Sequence, residues 1–272
     1  MASDITIYSY KITGGIEIMK YAIINGEKEE AFKGGTGYCP YCNSELIARC
    51  GDVKINHWAH KGARNCDKWW ENETEWHRQW KNKFPREWQE IVHFDETGEK
   101  HIADVKTTKN WIIEFQHSFI KNEERKARNN FYSKIVWVID GLRRKTDRTQ
   151  FIKSLQQGKS IPFGNKNIFM LNFPEESRLL KEWHNCGTPV FFDFSEINES
   201  PLWFLLPINI KDKAYIVPFS REEFIKTLNN DGFDELCYKI IPEIEQILVK
   251  NRKIISRNNS YRPRPIRSRK RL

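Results

Sequence analysis

The stretch from His101 to Ser118, HIADVKTTKNWIIEFQHS, constrains the fold more than any other part of the chain. It reads as two β-strands joined by a short polar loop. The first ends in Ala103-Asp104-Val105 and the second carries Glu114-Phe115-Gln116. Side chains alternate along a strand, so odd and even positions face opposite sides. Ala103, Val105, Trp111, Ile113 and Phe115 are apolar, whereas the even positions hold Asp104, Glu114 and Gln116. If the apolar faces share one core, the pairing must put these three polar residues together, because a slip of one residue would flip the set. Two carboxylates and an amide then converge beside an apolar core. Hard cations such as Mg²⁺ or Mn²⁺ take one or two carboxylates plus substrate phosphate. Asp104 and Glu114 are therefore candidate ligands for metal-assisted phosphodiester hydrolysis. A hairpin with one wet face shows the same alternation, with both acids as ordinary surface residues. The surrounding sequence weighs against that reading.

A second cluster lies upstream. Cys39-Pro40-Tyr41-Cys42 has the spacing that lets two thiolates reach one metal. Structural zinc takes four Cys or His ligands in a tetrahedron. His60 and Cys66 are the expected partners, with His57 in reserve, because His57 and His60 differ in strand parity. Cys50, at a hairpin end, is a further substitute. Such a zinc would be structural, stapling a segment with little apolar content. The alternative is free buried cysteines and surface histidines.

Between the two clusters a helix is expected from about Asn72 to Phe84, stopping before Pro85. Glu73, His77 and Lys81 fall on one face of it at i, i+4, i+8. Glu73 would add a carboxylate or hold a water on the ion. His77 would shuttle a proton or contact phosphate, and Lys81 would contact phosphate. An exposed helix with charge pairs is the plainer reading of the same spacing.

Elsewhere, residues 19–25 and 28–33 form a hairpin around Asn25-Gly26, and 45–50 with 53–58 a second one turning at Gly51-Asp52. Strands are expected near 90–95, 102–105, 111–116 and 135–139, with a charged helix over 122–132. Helix, three strands, helix, strand implies a mixed sheet with helices on both faces. Further on, 151–157 reads as helix and 167–171, 189–194, 202–208 and 214–217 as strands. Ser220 and Glu223 make a capping box for another helix. More helix is expected over 233–248, broken before Pro242. The resulting plan is an N-terminal extension (1–18), a zinc-ribbon-like β segment (19–70), a catalytic core (71–145), a C-terminal α/β region (146–249) and a disordered basic tail (250–272).

Charge is uneven. The tail from Lys250 to Leu272 holds ten Lys or Arg and no acid, and setting these aside turns the chain's +9 into −1. An arm of this kind either binds phosphate backbone without sequence preference or merely solubilises the chain. No apolar run is long enough to span a membrane, and the N-terminus lacks the pattern of a signal peptide. Six unevenly spaced cysteines with no export signal favour metal or burial over disulfides. A cytoplasmic protein is expected.

Taken in order, several short motifs resemble the bacterial competence protein CoiA family. They are Cys39–Cys42, His57–His60, Cys66, Glu73–Lys81, Ala103–Val105, Ile113–Ser118, Arg128–Tyr132 and Val136–Ile139. The resemblance covers about residues 19–140 and is loose beyond. It implies a PD-(D/E)XK, restriction-endonuclease-like nuclease preceded by a zinc-ribbon-like segment, with Asp104 and Glu114 as the metal-binding acids. Gln116 stands where many such nucleases keep a lysine, and this family also has glutamine there. Ala103 replaces the proline before the first aspartate, and Thr74 replaces a serine. An amide cannot titrate, so Gln116 would orient the attacking water by hydrogen bonding. Arg128 would touch the scissile strand or brace the helix, and Tyr132 would brace. The implied function is a Mg²⁺-dependent (or Mn²⁺-dependent) DNA nuclease in recombination, uptake of incoming DNA or defence against foreign DNA. The competing readings are a non-catalytic, zinc-containing DNA-binding module, or a scaffold for a helicase or recombinase. A scaffold would dock through Trp203-Phe204-Leu205-Leu206, although a buried strand is the plainer reading of that run.

Overall fold

The computed structural model describes residues 19–52, 54–62, 66–69, 73–194, 201–230 and 232–259, with side chains to Lys250. The expected extension, 1–18, lies outside them, as do 260–272 of the tail. The architecture is mixed α+β. Two compact units are present. One carries the described residues up to Lys106 together with Ile112–Tyr132, and the other carries Thr107–Trp111 and the described residues from Ser133 on.

The first unit opens with the hairpin of β1 (Tyr21–Ile24) and β2 (Glu27–Glu30), paired from Tyr21↔Glu30 to Ile24↔Glu27. Asn25 and Gly26 have φ of 52° and 88°, the left-handed pair that a two-residue hairpin turn needs. β3 (Thr36–Tyr38), β4 (Glu45–Arg49) and β5 (His57–His60) complete an antiparallel sheet in the order β2-β1-β3-β4-β5. Met19, Ala22, Ala31 and Leu46 gather around the fully buried Trp58, whose indole N–H donates to Glu29 O at 2.7 Å. β3 was not anticipated from the sequence. Gly37 is required there: a Cβ would lie 2.8 Å from that of Ala22. The second hairpin also departs from expectation. β5 begins at His57, opposite Arg49, so the two strands are not joined by a tight turn at Gly51-Asp52.

Helix α1 (Glu75–Lys81) is shorter than the spacing suggested. Thr74 is its N-cap, in a capping box whose return partner is the His77 imidazole. Glu73 therefore precedes the helix. Three antiparallel strands follow: β6 (Gln89–Phe94), β7 (Lys100–Lys106) and β8 (Ile112–Gln116), with β7 central. Helix α2 (Asn122–Phe131) closes the unit.

The second unit contains β9 (Ile135–Asp140), α3 (Asp147–Gln157), β10 (Lys159–Phe163), β11 (Lys166–Leu171), α4 (Arg178–Trp183), β12 (Val190–Asp193), β13 (Leu202–Leu205) and β14 (Ala214–Phe219). Strand order is β10-β11-β14-β13-β12-β9, and β12 runs parallel to β9 while its other pairings are antiparallel. Phe191 stacks on Phe204 at 4.3 Å in its core. Phe204, Leu205 and Leu206 are buried, so this run is a core strand and not a docking face. After β14 comes α5 (Arg221–Asn229), capped by Ser220 and Glu223 as expected. Next are α6 (Gly232–Glu235), a π-helical turn (Leu236–Ile240) and α7 (Ile241–Asn259). Helical backbone continues past Pro242. The wider π turn just before it makes room for the ring and the missing N–H. α7 runs on to Asn259, so 250–259 are helical where a tail without structure was expected. No proline or glycine interrupts the chain between Lys250 and Asn259. Among the described residues, no helix is long and apolar enough to cross a membrane.

Candidate active site and metal centre

The Cys39-x-x-Cys42 knuckle lies between β3 and β4, its turn closed by Asn43 N–H donating to Cys39 O at 2.9 Å. His60 comes from the end of β5, and Cys66 from the segment beyond. Their four donor atoms all lie within 4.8 Å of one another. Cys39 Sγ and Cys66 Sγ are 3.7 Å apart, and Cys42 Sγ is 3.3 Å from His60 Nε2. Two sulfurs at about 2.3 Å from a tetrahedral centre would be roughly 3.8 Å apart, so three thiolates and one imidazole here fit a metal such as zinc. The Cys66 side chain draws the Cys39 thiol well below the ordinary thiol range. His57 is outside the cluster. It is buried, with Nδ1 2.8 Å from Ile55 O. Strand parity, raised as an uncertainty by the sequence, decides the matter for His60. Cys50 is also outside the cluster.

The acidic site is built on β7 and β8. Their register, Val105↔Ile113 and Lys106↔Ile112, carries Asp104 opposite Glu114. Asp104 Oδ2 accepts from Phe115 N–H at 3.0 Å. Both acids line a small cavity of about 30 Å³ with Glu73, Lys81, Arg128 and Trp69, room for about two waters. Asp104 keeps a quarter of its side chain exposed, against 5% for Glu114. Burial raises both carboxyls. The charge of Asp104 adds to the effect at Glu114, and together they outweigh Arg128 and hold it at about 8. Glu114 Oε2 accepts from Arg128 Nη1 at 2.8 Å, but Oε1 is buried with no hydrogen-bond partner among the described residues.

Lys81 is the largest departure from expectation. It is 2% exposed, with Nζ at 2.7 Å from Glu73 Oε1, 2.8 Å from Glu90 Oε1 and 3.8 Å from Asp104 Oδ1. Burial alone would lower its pKa, but these three carboxylates outweigh burial and raise it. It is an internal ammonium, not a surface contact for phosphate. Burial likewise favours a neutral Glu73, yet Lys81 and Arg78 hold its carboxyl below the usual range. Arg128 is also committed internally, to Glu114, to Trp69 O at 2.5 Å and to Glu124 at 2.6 Å. It braces rather than reaching for substrate, and Tyr132 at the helix end is buried as a brace too. His77 has no nitrogen left for proton shuttling. Nδ1 accepts from Thr74 N–H at 3.1 Å, and Nε2 lies 3.0 Å from Phe115 O. Gln116 shares the buried face but sits outside the cavity walls, with Nε2 donating to Ser118 O at 3.3 Å.

Sequence reasoning missed Glu90. Its φ of 48° is left-handed and costly for a residue with a Cβ. The carboxylate gains Lys81 on one side and the backbone N–H groups of Lys20 and Tyr21, each at 3.2 Å, on the other. Nothing local in the sequence marks a strand glutamate for this role.

No curated protein and no solved structure matches the chain. Residues 24–68 match a family described as Competence protein CoiA, N-terminal domain. That span holds all four metal-ligand candidates, so the match supports a CoiA-like relationship carried by the metal-binding segment.

Proposed function

We propose that the chain is a Mg²⁺- or Mn²⁺-dependent nuclease that hydrolyses phosphodiester bonds in DNA, acting on incoming or foreign DNA. The observation that carries this reading is Glu114 Oε1. A buried carboxylate oxygen without a donor costs free energy unless something positive completes it. It belongs to the strand that faces Asp104, the most exposed acid of the cavity. Glu73 and Glu90 are already matched by Lys81, and Glu114 Oε2 by Arg128. Asp104 has its cation farthest away, so a divalent ion is best accommodated beside Asp104 and Glu114 Oε1. When bound, the ion supplies Lewis-acid stabilisation of the phosphoryl group and lowers the pKa of water.

The residues around it then have distinct tasks. Asp104 and Glu114 hold the ion. Lys81 keeps Glu73 charged, pairs with Glu90 and lends Asp104 a fixed positive neighbour. Arg128 fixes the rotamer of Glu114. His77 ties the start of α1 to β8 and so sets where Glu73 stands. Gln116 has no titratable proton, so it cannot act as a general base. Substrate phosphate has few unengaged cations to meet inside the cavity, so its charge is met chiefly by the metal.

The test is cleavage of linear single- and double-stranded DNA with Mg²⁺, Mn²⁺ or EDTA. Wild type and Asp104→Ala are compared at equal zinc content. Metal-dependent cutting by wild type alone is the expected result. Cutting that survives Asp104→Ala would overturn the assignment, and no cutting by either protein would favour a binding module or scaffold.

A further inference from the structure

We infer that the zinc-type cluster does more than staple its own sheet: through Asp67 it sets the geometry of the acidic site, making Asp67 a positioning residue for the metal held by Asp104 and Glu114. This rests on the nuclease reading above.

Both ligand-bearing segments of the cluster grip the same short piece of β7. The knuckle does so through Tyr41, between Cys39 and Cys42. Its hydroxyl donates to Lys100 O at 3.0 Å, and Lys100 Nζ donates back to Tyr41 O at 2.7 Å. The other segment does so through Asp67, next to Cys66. Asp67 is 4% exposed. Its Oδ1 accepts from His101 Nδ1 at 2.7 Å and its Oδ2 from Ile102 N–H at 2.6 Å. Lys100, His101 and Ile102 lead directly to Asp104 on the same strand. Strand backbone is stiff, so fixing 100–102 fixes where Asp104 begins.

Asp67 also folds its own chain toward the second acid. Its Oδ1 accepts from Trp69 N–H at 2.9 Å, and the Trp69 ring stacks on His101. Trp69 O then receives Arg128 Nη2 at 2.5 Å, and Arg128 Nη1 donates to Glu114 Oε2 at 2.8 Å. Cys66, Asp67 and Trp69 thus form one short run with a metal ligand at one end and the Arg128 anchor at the other. A carboxylate with three donors is over-determined for holding a loop on a strand. Its oxygens are shared between the strand of Asp104 and the brace of Glu114. Partners one step removed from metal ligands commonly change metal affinity by ten- to a hundred-fold when lost.

The experiment uses the full chain loaded with zinc and titrates Mn²⁺, followed by the electron paramagnetic resonance signal of free Mn²⁺. Zinc content and melting temperature are recorded for each variant. Asp67→Ala is expected to keep its zinc and weaken Mn²⁺ binding about tenfold. Asp67→Asn, which keeps an oxygen for Ile102 or Trp69, is expected to recover most of the loss. Lys68→Ala, an exposed neighbour, is expected to match wild type. If Asp67→Ala does not fold, wild type stripped of zinc decides, and Mn²⁺ affinity equal to that of the loaded protein overturns the inference. Loss of Mn²⁺ binding in Asp104→Ala but not in Asp67→Ala overturns the inference while leaving the nuclease reading intact. Mn²⁺ binding unaffected in both overturns the two together.

Discussion

The Cys₃His cluster and the acidic cavity belong to the same compact unit, yet they treat charge in opposite ways. The cluster brings four donors within 4.8 Å with no lysine or arginine among them. It could hold a metal such as zinc. In the acidic cavity, Lys81 answers Glu73 and Glu90, and Arg128 answers Glu114. That site is largely neutralised by its own cations. On the proposed nuclease reading, the difference separates a metal that would make structure from one that would do chemistry. The first would take four protein ligands, and the second would be left one carboxylate edge and a gap.

The sharpest way to break this comparison is to remove one ligand from each side. Structural zinc is worth on the order of 10 kcal/mol in small domains, so Cys39→Ser or His60→Ala should lose bound zinc and unfold the sheet of β1–β5. His57→Gln should keep the zinc. Zinc analysis with hydrogen exchange over residues 19–60 checks both. Normal zinc content in His60→Ala would mean that another group completes the cluster.

On the acidic side the ordering reverses: the residue whose loss unfolds the site is the cation, not the metal ligand. Lys81→Met leaves Glu73 and Glu90 buried without their partner and should cost about 3–5 kcal/mol. Asp104→Asn removes a charge that burial already disfavours, and should leave the metal-free melting temperature unchanged or higher. It should, however, abolish the stabilisation that wild type gains from Mg²⁺, about 2.7 kcal/mol at a hundredfold excess over Kd. Thermal melts with and without Mg²⁺ give all three values. If Lys81→Met melts like wild type, the charge-balance account fails.

A smaller effect tests how α1 presents Glu73. Thr74→Ala removes the N-cap oxygen and half of the box shared with His77, for a loss of about 1 kcal/mol. Denaturant melts should show it with zinc content unchanged, since α1 holds no ligand of the cluster.

How much of this was legible in the sequence follows the range of the interaction. Alternation along 101–118 placed Asp104 and Glu114 on one face, because strand period and a one-sided core leave a single register. Asn25-Gly26 and the box of Ser220 with Glu223 were legible for the same reason: their chemistry is complete within a few residues. Lys81 was not. Its partner Glu90 adopts a left-handed backbone that no local pattern announces, and its burial depends on two acids arriving from different elements. His77 does line the cavity, but its engagement was not legible, because its nitrogens are taken up by Thr74 and by Phe115 of a different element. Nothing in the sequence distinguishes Asp67 from an ordinary loop acid beside a cysteine. Helix continuity through Pro242 was hidden because a π turn is a response of packed helix geometry rather than a residue preference.

The smallest expected effect concerns protons and separates the two regions once more. His93 on β6 lies 3.1 Å from Lys106 Nζ. Burial and then the Lys106 charge lower its pKa below the ordinary histidine value. The unfolded chain therefore binds a proton at His93 more readily than the folded one. Stability contributed by this group is present above its unfolded value and is lost as pH falls through and below about 6.5. His93→Gln should flatten the acid limb of stability against pH between about 6.5 and 5, with little change at pH 8. Urea melts at a series of pH values measure the slope directly, at constant zinc. The metal cluster should give a slope of the same sign, since protons compete with metal for its thiolates. Only the histidine part should vanish in His93→Gln, and an unchanged slope would assign the whole acid sensitivity to other groups, the cluster foremost.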